Sequence, residues 1–148
     1  MWPDRRTAHL VFKPRHYGLK VMERCLRDRT SLFDLSTRHK DILRCSATKH
    51  FKSCYNPKGG FRDVPFKLCT QPGYAILGKK DRSGQYLWRA FVFYFEDKDY
   101  DYYHESKNYS KLVVYKIYGN PPSDIKETIL CRLNGLVDRV QFVDYDAA

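Results

Sequence analysis

The sequence lacks the motifs by which most enzyme classes are recognised. It contains no phosphate-binding P-loop, no glycine-rich dinucleotide turn, no GxSxG nucleophile motif and no HExxH metal motif. No segment approaches the ~18 consecutive apolar residues of a membrane span, and the first residues lack the apolar core of a secretory signal. We therefore expect a cytoplasmic (intracellular) protein that does not enter a membrane, and no motif in the chain indicates a cofactor.

The sequence lacks a CxxC pair of cysteines. The five cysteines are Cys25, Cys45, Cys54, Cys69 and Cys131. An odd number in a chain of this length, without a secretory signal, favours reduced thiols over a disulfide framework. We predict that the five side chains act as small buried hydrophobic residues.

The chain does have enough apolar side chains for a core. Of its 148 residues, 43% are hydrophobic and 16% are aromatic. These values are typical of a globular chain and exclude a disordered or coiled-coil protein. No repeat, low-complexity tract or long Pro/Gly/Ser linker divides the sequence, so we expect residues 1–148 to form a single domain.

Hydrophobic periodicity predicts an α+β fold. Strands are predicted at residues 8–13, 64–69, 74–77, 86–95, 112–118 and 139–145, with a turn at 81–84. Helices are predicted at 19–27 and 36–54, and a third begins after Ser123 and carries Ile125, Ile129, Leu133 and Leu136 on one face. This order predicts an antiparallel sheet of about five to six strands, with two N-terminal helices and one C-terminal helix packed on it.

Positive charge is concentrated in the first part of the chain. The 27 Lys and Arg exceed the 17 Asp and Glu by ten, and residues 1–60 alone contain 14 basic and 5 acidic side chains. A basic half beside a neutral half is typical of a protein that binds a polyanion. Nucleic acid, either RNA or DNA, is the commonest such partner, because each neutralised phosphate releases a counterion. A protein-binding inhibitor or adaptor that meets an acidic surface is an alternative.

The predicted helix at 36–54 supplies a candidate surface for phosphate. At about 100° per residue, Arg38, Lys49 and Lys52 fall on the side opposite the apolar residues. The full predicted set of phosphate-binding residues is Arg38, Arg44, Lys49, Lys52, Lys58, Arg62 and Arg89. Contacts of this kind set affinity rather than sequence choice.

Two histidines are candidates for proton transfer. His50 lies between Lys49 and Lys52, and His104 lies in a later acidic segment. Either could serve a metal-independent endoribonuclease, which is a second hypothesis for the function. His50 and Cys54 are also one helical turn apart and could contribute two ligands to a zinc site, although a buried neutral histidine with a hydrogen bond accounts for the same pattern.

Aromatic residues dominate the strand predicted at 86–95. One predicted face contains Tyr86, Trp88, Ala90, Val92 and Tyr94, and the other contains Leu87, Arg89, Phe91, Phe93 and Phe95. A strand that is apolar on both faces is usually central and covered on both sides. The alternative interpretation is a platform of exposed rings that stacks unpaired bases.

Tyrosine and aspartate alternate in the segment that follows, residues 96–105. We predict a solvated hairpin loop there. Because tyrosine rings supply contact area at low entropy cost, the same loop is also a candidate surface for a protein partner.

Overall fold

A computed structural model describes residues 5–56, 58–100 and 106–147. The helices are α1 (Arg5–Arg29), α2 (His39–Leu43), α3 (Val64–Cys69) and α4 (Ile125–Leu133). The strands are β1 (Asp34–Ser36), β2 (Tyr74–Lys80), β3 (Tyr86–Tyr100), β4 (Ser106–Val114), β5 (Tyr118–Gly119) and β6 (Arg139–Phe142). The predicted α+β class is confirmed.

The six strands form a single sheet in the order β1-β2-β3-β4-β6, with β5 paired to β3. All neighbouring strands are antiparallel except β4 and β6, which run parallel. The sheet is therefore mixed, whereas the sequence predicted an antiparallel sheet. The difference arises because α4 lies between β4 and β6 in the chain, and a helical crossover returns the chain in the direction of the first strand.

The two faces of the sheet are covered by different parts of the chain. One core contains Leu19, Met22 and Leu26 of α1, the α4 residues Ile129 and Leu133, and inward side chains of the central strands. The second core contains Ile42 of α2, Leu68 of α3, Tyr55, Ile76 and Phe91. The sheet is thus sandwiched between α1 and α4 on one face and the chain from α2 to α3 on the other.

A β-bulge changes the predicted faces of the aromatic strand β3. The register between β2 and β3 shifts at Lys79 and Lys80, so that Lys79 pairs with Trp88 and Lys80 with Tyr86. Tyr86 therefore packs in the second core, and Leu87 packs against the first, beside Trp88. Alternation alone assigned both residues to the opposite faces, because a bulge inserts a residue that the period of two does not count.

Three predicted elements are wrong. Residues 8–13 belong to helix α1, which also contains the predicted helix 19–27. A short apolar run cannot be assigned to a strand or a helix by periodicity alone. Residues 64–69 form helix α3, in which Pro65 occupies the first turn and Leu68 is buried on the same side.

The predicted helix at 36–54 is the largest error. Ser36 ends strand β1, helix α2 is only five residues long, and the chain then continues without a helix to α3. Side chains explain this path: Thr48 Oγ1 donates to the backbone oxygen of Tyr86 at 2.8 Å, and the Ser46 and Ser53 hydroxyls accept from Arg89. Such hydroxyls offer the chain alternatives to helical hydrogen bonds.

The other predicted elements are confirmed with changed bounds. Strands β2 and β3, the turn at 81–84 and helix α4 form where expected. The strand predicted at 112–118 ends at Val114, and β5 follows separately. The strand predicted at 139–145 is β6, which lies at an edge of the sheet.

The cysteine prediction is confirmed only in part. All five thiols are free. Cys45 is buried, but Cys54 and Cys131 are exposed. The prediction that all five side chains are buried is therefore wrong. Within the described ranges, no helix has the length and hydropathy needed to traverse a lipid bilayer.

We predict that Gly78→Ala destabilises the sheet. A Cβ atom at position 78 would lie 2.4 Å from the backbone oxygen of Trp88, so strand β3 would have to move. We expect a loss of about 2 kcal/mol in the free energy of unfolding, measured by urea denaturation. Gly60→Ala is the matched control, because a Cβ there meets nothing within 4 Å. Equal stability of the two variants would contradict the described strand pairing.

Candidate nucleic-acid interface

The candidate site is the chain from residue 38 to residue 62, which we call the basic segment. It includes α2 and an irregular stretch that covers the face of the sheet opposite α1 and α4. Its path depends on a side chain of the sheet itself, Arg89 of β3.

Arg89 is fully buried beneath the basic segment, with 1% of its surface exposed. Its Nη2 donates to Ser46 Oγ at 2.8 Å and to Ser53 Oγ at 2.9 Å. Both serines lie within the irregular stretch, so one guanidinium ties two points of that stretch to strand β3. No described group accepts a hydrogen bond from the Nε of Arg89.

Four aromatic rings surround the Arg89 guanidinium. Its Cζ lies 4.4 Å from the ring centroid of Tyr118, 5.2 Å from Phe91, 5.5 Å from Tyr55 and 5.9 Å from Phe51. Cation–π attraction and the two serine bonds take the place of the water that burial removes. Burial lowers the pKa of Arg89 from its ordinary value, but a guanidinium stays protonated at neutral pH.

The prediction that Arg89 binds phosphate is therefore wrong for this structure. A side chain buried under rings and serines does not reach a ligand in solvent. The period of two placed Arg89 on an apolar face, but sequence spacing could not show that residues more than 30 positions earlier close over it.

The other six predicted cations are exposed. They are Arg38, Arg44, Lys49, Lys52, Lys58 and Arg62. Their arrangement differs from the prediction, because they do not share a helix face: Arg38 and Arg44 flank α2, and the remaining four lie on irregular chain. Across the described residues, none of the six forms an ion pair.

The nearby acidic side chains already have cationic partners. Asp41 accepts hydrogen bonds from Lys80 Nζ and Ser36 Oγ, both at 2.6 Å. Burial opposes ionisation of Asp41, yet these hydrogen bonds keep its pKa below the ordinary value. Asp63 pairs with Lys67 at 3.3 Å, and this bond lowers the pKa of Asp63. The acids therefore form their ion pairs with lysines outside the set of six exposed cations.

His50 lies in the same segment and contacts a carboxylate. Its Nε2 is 2.7 Å from Oδ2 of Asp81, in the turn between β2 and β3. The other oxygen of Asp81 accepts from Ser83 N, Ser83 Oγ and Gln85 N at 2.7–3.0 Å. Hydrogen bonds from His50 and Ser83 lower the pKa of Asp81 well below its usual range, so the carboxylate is ionised at neutral pH.

The Asp81 contact selects one tautomer of neutral His50. Because an ionised carboxylate only accepts hydrogen bonds, Nε2 carries the proton. Nδ1 then retains its lone pair, and no described residue donates to it. The arrangement is an oriented imidazole whose free nitrogen can accept a proton.

The zinc hypothesis loses its geometric basis. His50 and Cys54 were expected one helical turn apart, but residues 50–54 are not helical, and His50 binds Asp81. In the described parts of the chain, no group of three or more His, Cys, Asp or Glu could hold a metal ion.

The second candidate histidine and residues 96–105 are not part of the basic segment. His104 lies outside the described residues, as do the other positions of 101–105. Residues 96–100 extend strand β3 and pair with β4, so half of the predicted loop is strand.

Sequence reasoning missed Asp81, Ser46, Ser53 and Tyr118 as partners of the site. Each contributes through a contact over a long separation, such as the 31 positions between His50 and Asp81. The only local signal was the turn sequence at 81–84, which predicted a turn but not its partner.

Comparison with known proteins gives no functional assignment. No protein-family model and no curated protein matches the chain. Two solved structures resemble its fold, a mutant and a tetramutant of the BH1408 protein from Bacillus halodurans, with 9% and 11% identity and TM-scores of 0.47 and 0.46. Each alignment covers 77% of this chain, and 82% and 83% of the respective structures. Likeness at this level carries no functional inference.

We predict that Arg89→Ala both destabilises the protein and loosens the basic segment. The change removes the packing of a buried side chain and both serine bonds, so the free energy of unfolding should fall by about 3 kcal/mol. Amide hydrogen exchange at residues 46–55 should accelerate more than exchange in α1. Arg82→Ala, in the exposed turn, is the control and should change stability by less than about 0.5 kcal/mol. Unchanged exchange at 46–55 would contradict the anchoring role.

Proposed function

We propose that the protein binds nucleic acid through the basic segment. The observation that carries the proposal is the set of six exposed cations on one layer of the fold, none of them paired with a described acid. Residues 38–69 contain eight Lys or Arg and two Asp, and both aspartates already pair with lysines.

Binding of this kind is dominated by phosphate. Each Lys or Arg that neutralises a phosphate releases a condensed counterion, so affinity falls steeply with salt. Such contacts position the chain on the backbone of RNA or DNA and carry no sequence information directly. The proposal therefore covers both nucleic acids.

Charge reversal at two of the cations tests the proposal. Lys49→Glu/Lys52→Glu should weaken binding to labelled RNA and to duplex DNA by about tenfold or more at low salt. The slope of log K against log salt should become shallower by about one to two. Fluorescence anisotropy at several salt concentrations measures both quantities.

The matched control for this test is Arg24→Glu/Arg27→Glu, which reverses two exposed cations of α1 on the opposite side of the sheet and so changes the net charge by the same amount. It changes the net charge but not the basic segment, so its effect should be much smaller. Equal losses in the two variants would mean that net charge alone governs binding. If the parent protein binds no nucleic acid at low salt, the proposal fails, and an acidic protein partner becomes the better account of these cations.

The His50–Asp81 contact favours a second candidate, a metal-independent endoribonuclease that uses the same surface. Nδ1 of His50 would accept the proton of an RNA 2′-hydroxyl. The 2′-oxygen then bonds to the adjacent phosphorus, and the bond from phosphorus to the 5′-oxygen breaks. The imidazolium returns its proton to that 5′-oxygen, which leaves a 2′,3′-cyclic phosphate and a 5′-hydroxyl.

For this candidate we expect His50→Ala to reduce RNA cleavage by at least about 100-fold. Asp81→Asn should reduce cleavage less, because it disturbs only the tautomer and orientation of His50. Cleavage in the presence of EDTA, followed on a denaturing gel with a parallel anisotropy measurement, separates catalysis from binding. A His50→Ala protein that cuts RNA as fast as the parent would exclude His50 from the reaction.

A further inference from the structure

The face of the sheet that holds the second core also carries a group of aromatic rings, which we call the aromatic platform: Tyr74, Phe93, Phe95, Tyr115 and Tyr145. Phe93 and Phe95 lie on the same face of β3 as Phe91, because side chains alternate along a strand. This is the face that the basic segment covers at its other end.

The rings of the aromatic platform are in contact with one another. The ring centroids of Tyr74 and Phe93, on paired strands, are 4.7 Å apart. Phe93 and Phe95 stack with centroids 5.6 Å apart and an interplanar angle of 30°. Tyr115 and Tyr145 meet edge to face at 6.0 Å. The result is an extended aromatic surface rather than isolated side chains.

The platform is partly exposed to solvent, whereas the opposite side of the same strands is fully buried. Tyr74, Phe93, Phe95 and Tyr115 are half-buried, and Tyr145 is 62% exposed. On the other face of β3 and β4, Val92, Leu112 and Val114 have no exposed surface beneath α1 and α4. Core packing accounts for Phe91 and in part for Tyr74 and Tyr115, but Phe93, Phe95 and Tyr145 belong to neither core.

Positive charge borders the platform. Lys111 is paired with Phe95 across β3 and β4, and its Nζ lies 6.0 Å from the Phe95 ring centroid. Arg139 is paired with Lys111 on the next strand and stands over the Tyr109 ring at 4.1 Å. The platform rings and Lys111 together match the two parts of a nucleotide, its base and its phosphate.

We propose that the aromatic platform stacks the unpaired bases of single-stranded nucleic acid. This inference rests on the proposed function, because the basic segment on the same face would hold the backbone of the same strand. Duplex DNA and RNA cannot offer base faces to a sheet, since their bases are stacked within the helix. The platform therefore predicts a preference for single strands that cations alone would not produce.

The test compares strands with and without bases. The probes are a fluorescent oligouridine of about 12 nucleotides and an abasic oligonucleotide of the same length and charge. Both present the same phosphates, so the ratio of their affinities reports stacking. We expect the parent protein to bind the oligouridine about tenfold or more tightly than the abasic strand, measured by anisotropy at a single salt concentration.

Two leucine substitutions then locate the effect. Phe95→Leu and Tyr145→Leu keep an apolar side chain but remove the ring, so each should lower the affinity for oligouridine about fivefold or more while affinity for the abasic strand is unchanged. Phe95→Tyr restores a ring and should restore the ratio. Tyr17→Leu is the matched control, because Tyr17 is 69% exposed on α1 at the opposite side of the sheet.

The outcomes separate this inference from the proposed function. Equal affinity of the parent for both probes, with a steep salt dependence, would overturn the stacking platform and leave phosphate binding in place. No binding to either probe would overturn both. A Phe95→Leu protein that keeps its thermal midpoint but still prefers oligouridine as strongly as the parent would also exclude the platform.

Discussion

The burial of Arg89 is the constraint on which the candidate interface depends. A guanidinium under the protein surface is costly unless its donors and its charge are compensated. Here the compensation comes from distant parts of the chain: Ser46 and Ser53 accept hydrogen bonds, and rings that include Tyr118 of β5 enclose the charge. The irregular stretch of the basic segment therefore adopts a defined path without helical hydrogen bonds. Its exposed cations lie on a backbone that the contacts with Arg89 hold in place.

The acidic and basic side chains around this layer differ in their partners. Asp41, Asp63 and Asp81 are held by Lys80, Lys67 and His50, so the acids serve the structure. The cations between them face solvent, where mutual repulsion is relieved by counterions or by a bound polyanion. The aromatic platform continues this face of the sheet, which places groups for phosphate and groups for bases on one side of the molecule.

Hydrophobic periodicity and turn residues predicted the elements whose formation depends mainly on interactions between residues close in sequence. Strands β2 and β3, the turn at 81–84 and helix α4 follow from periodicity and turn residues, and the α+β class follows from their order. The predictions failed where a contact distant in sequence overrides local preference: Ser36 joins β1 by pairing with Ile76, and the chain after α2 gives its hydroxyls to Arg89 and Tyr86. Residues 64–69 failed for a different reason, since six apolar-rich residues fit a strand or a helix equally well.

Composition and hydrophobic period were enough to establish the fold class, the excess of positive charge and the candidate cations, because these depend only on the order and kind of residues. Tertiary structure decided which arginine is buried, which carboxylate orients His50 and which rings of β3 stay open to solvent. These outcomes depend on what closes over each face of the sheet. A side chain's exposure is a property of its neighbours in space, and sequence spacing does not record them.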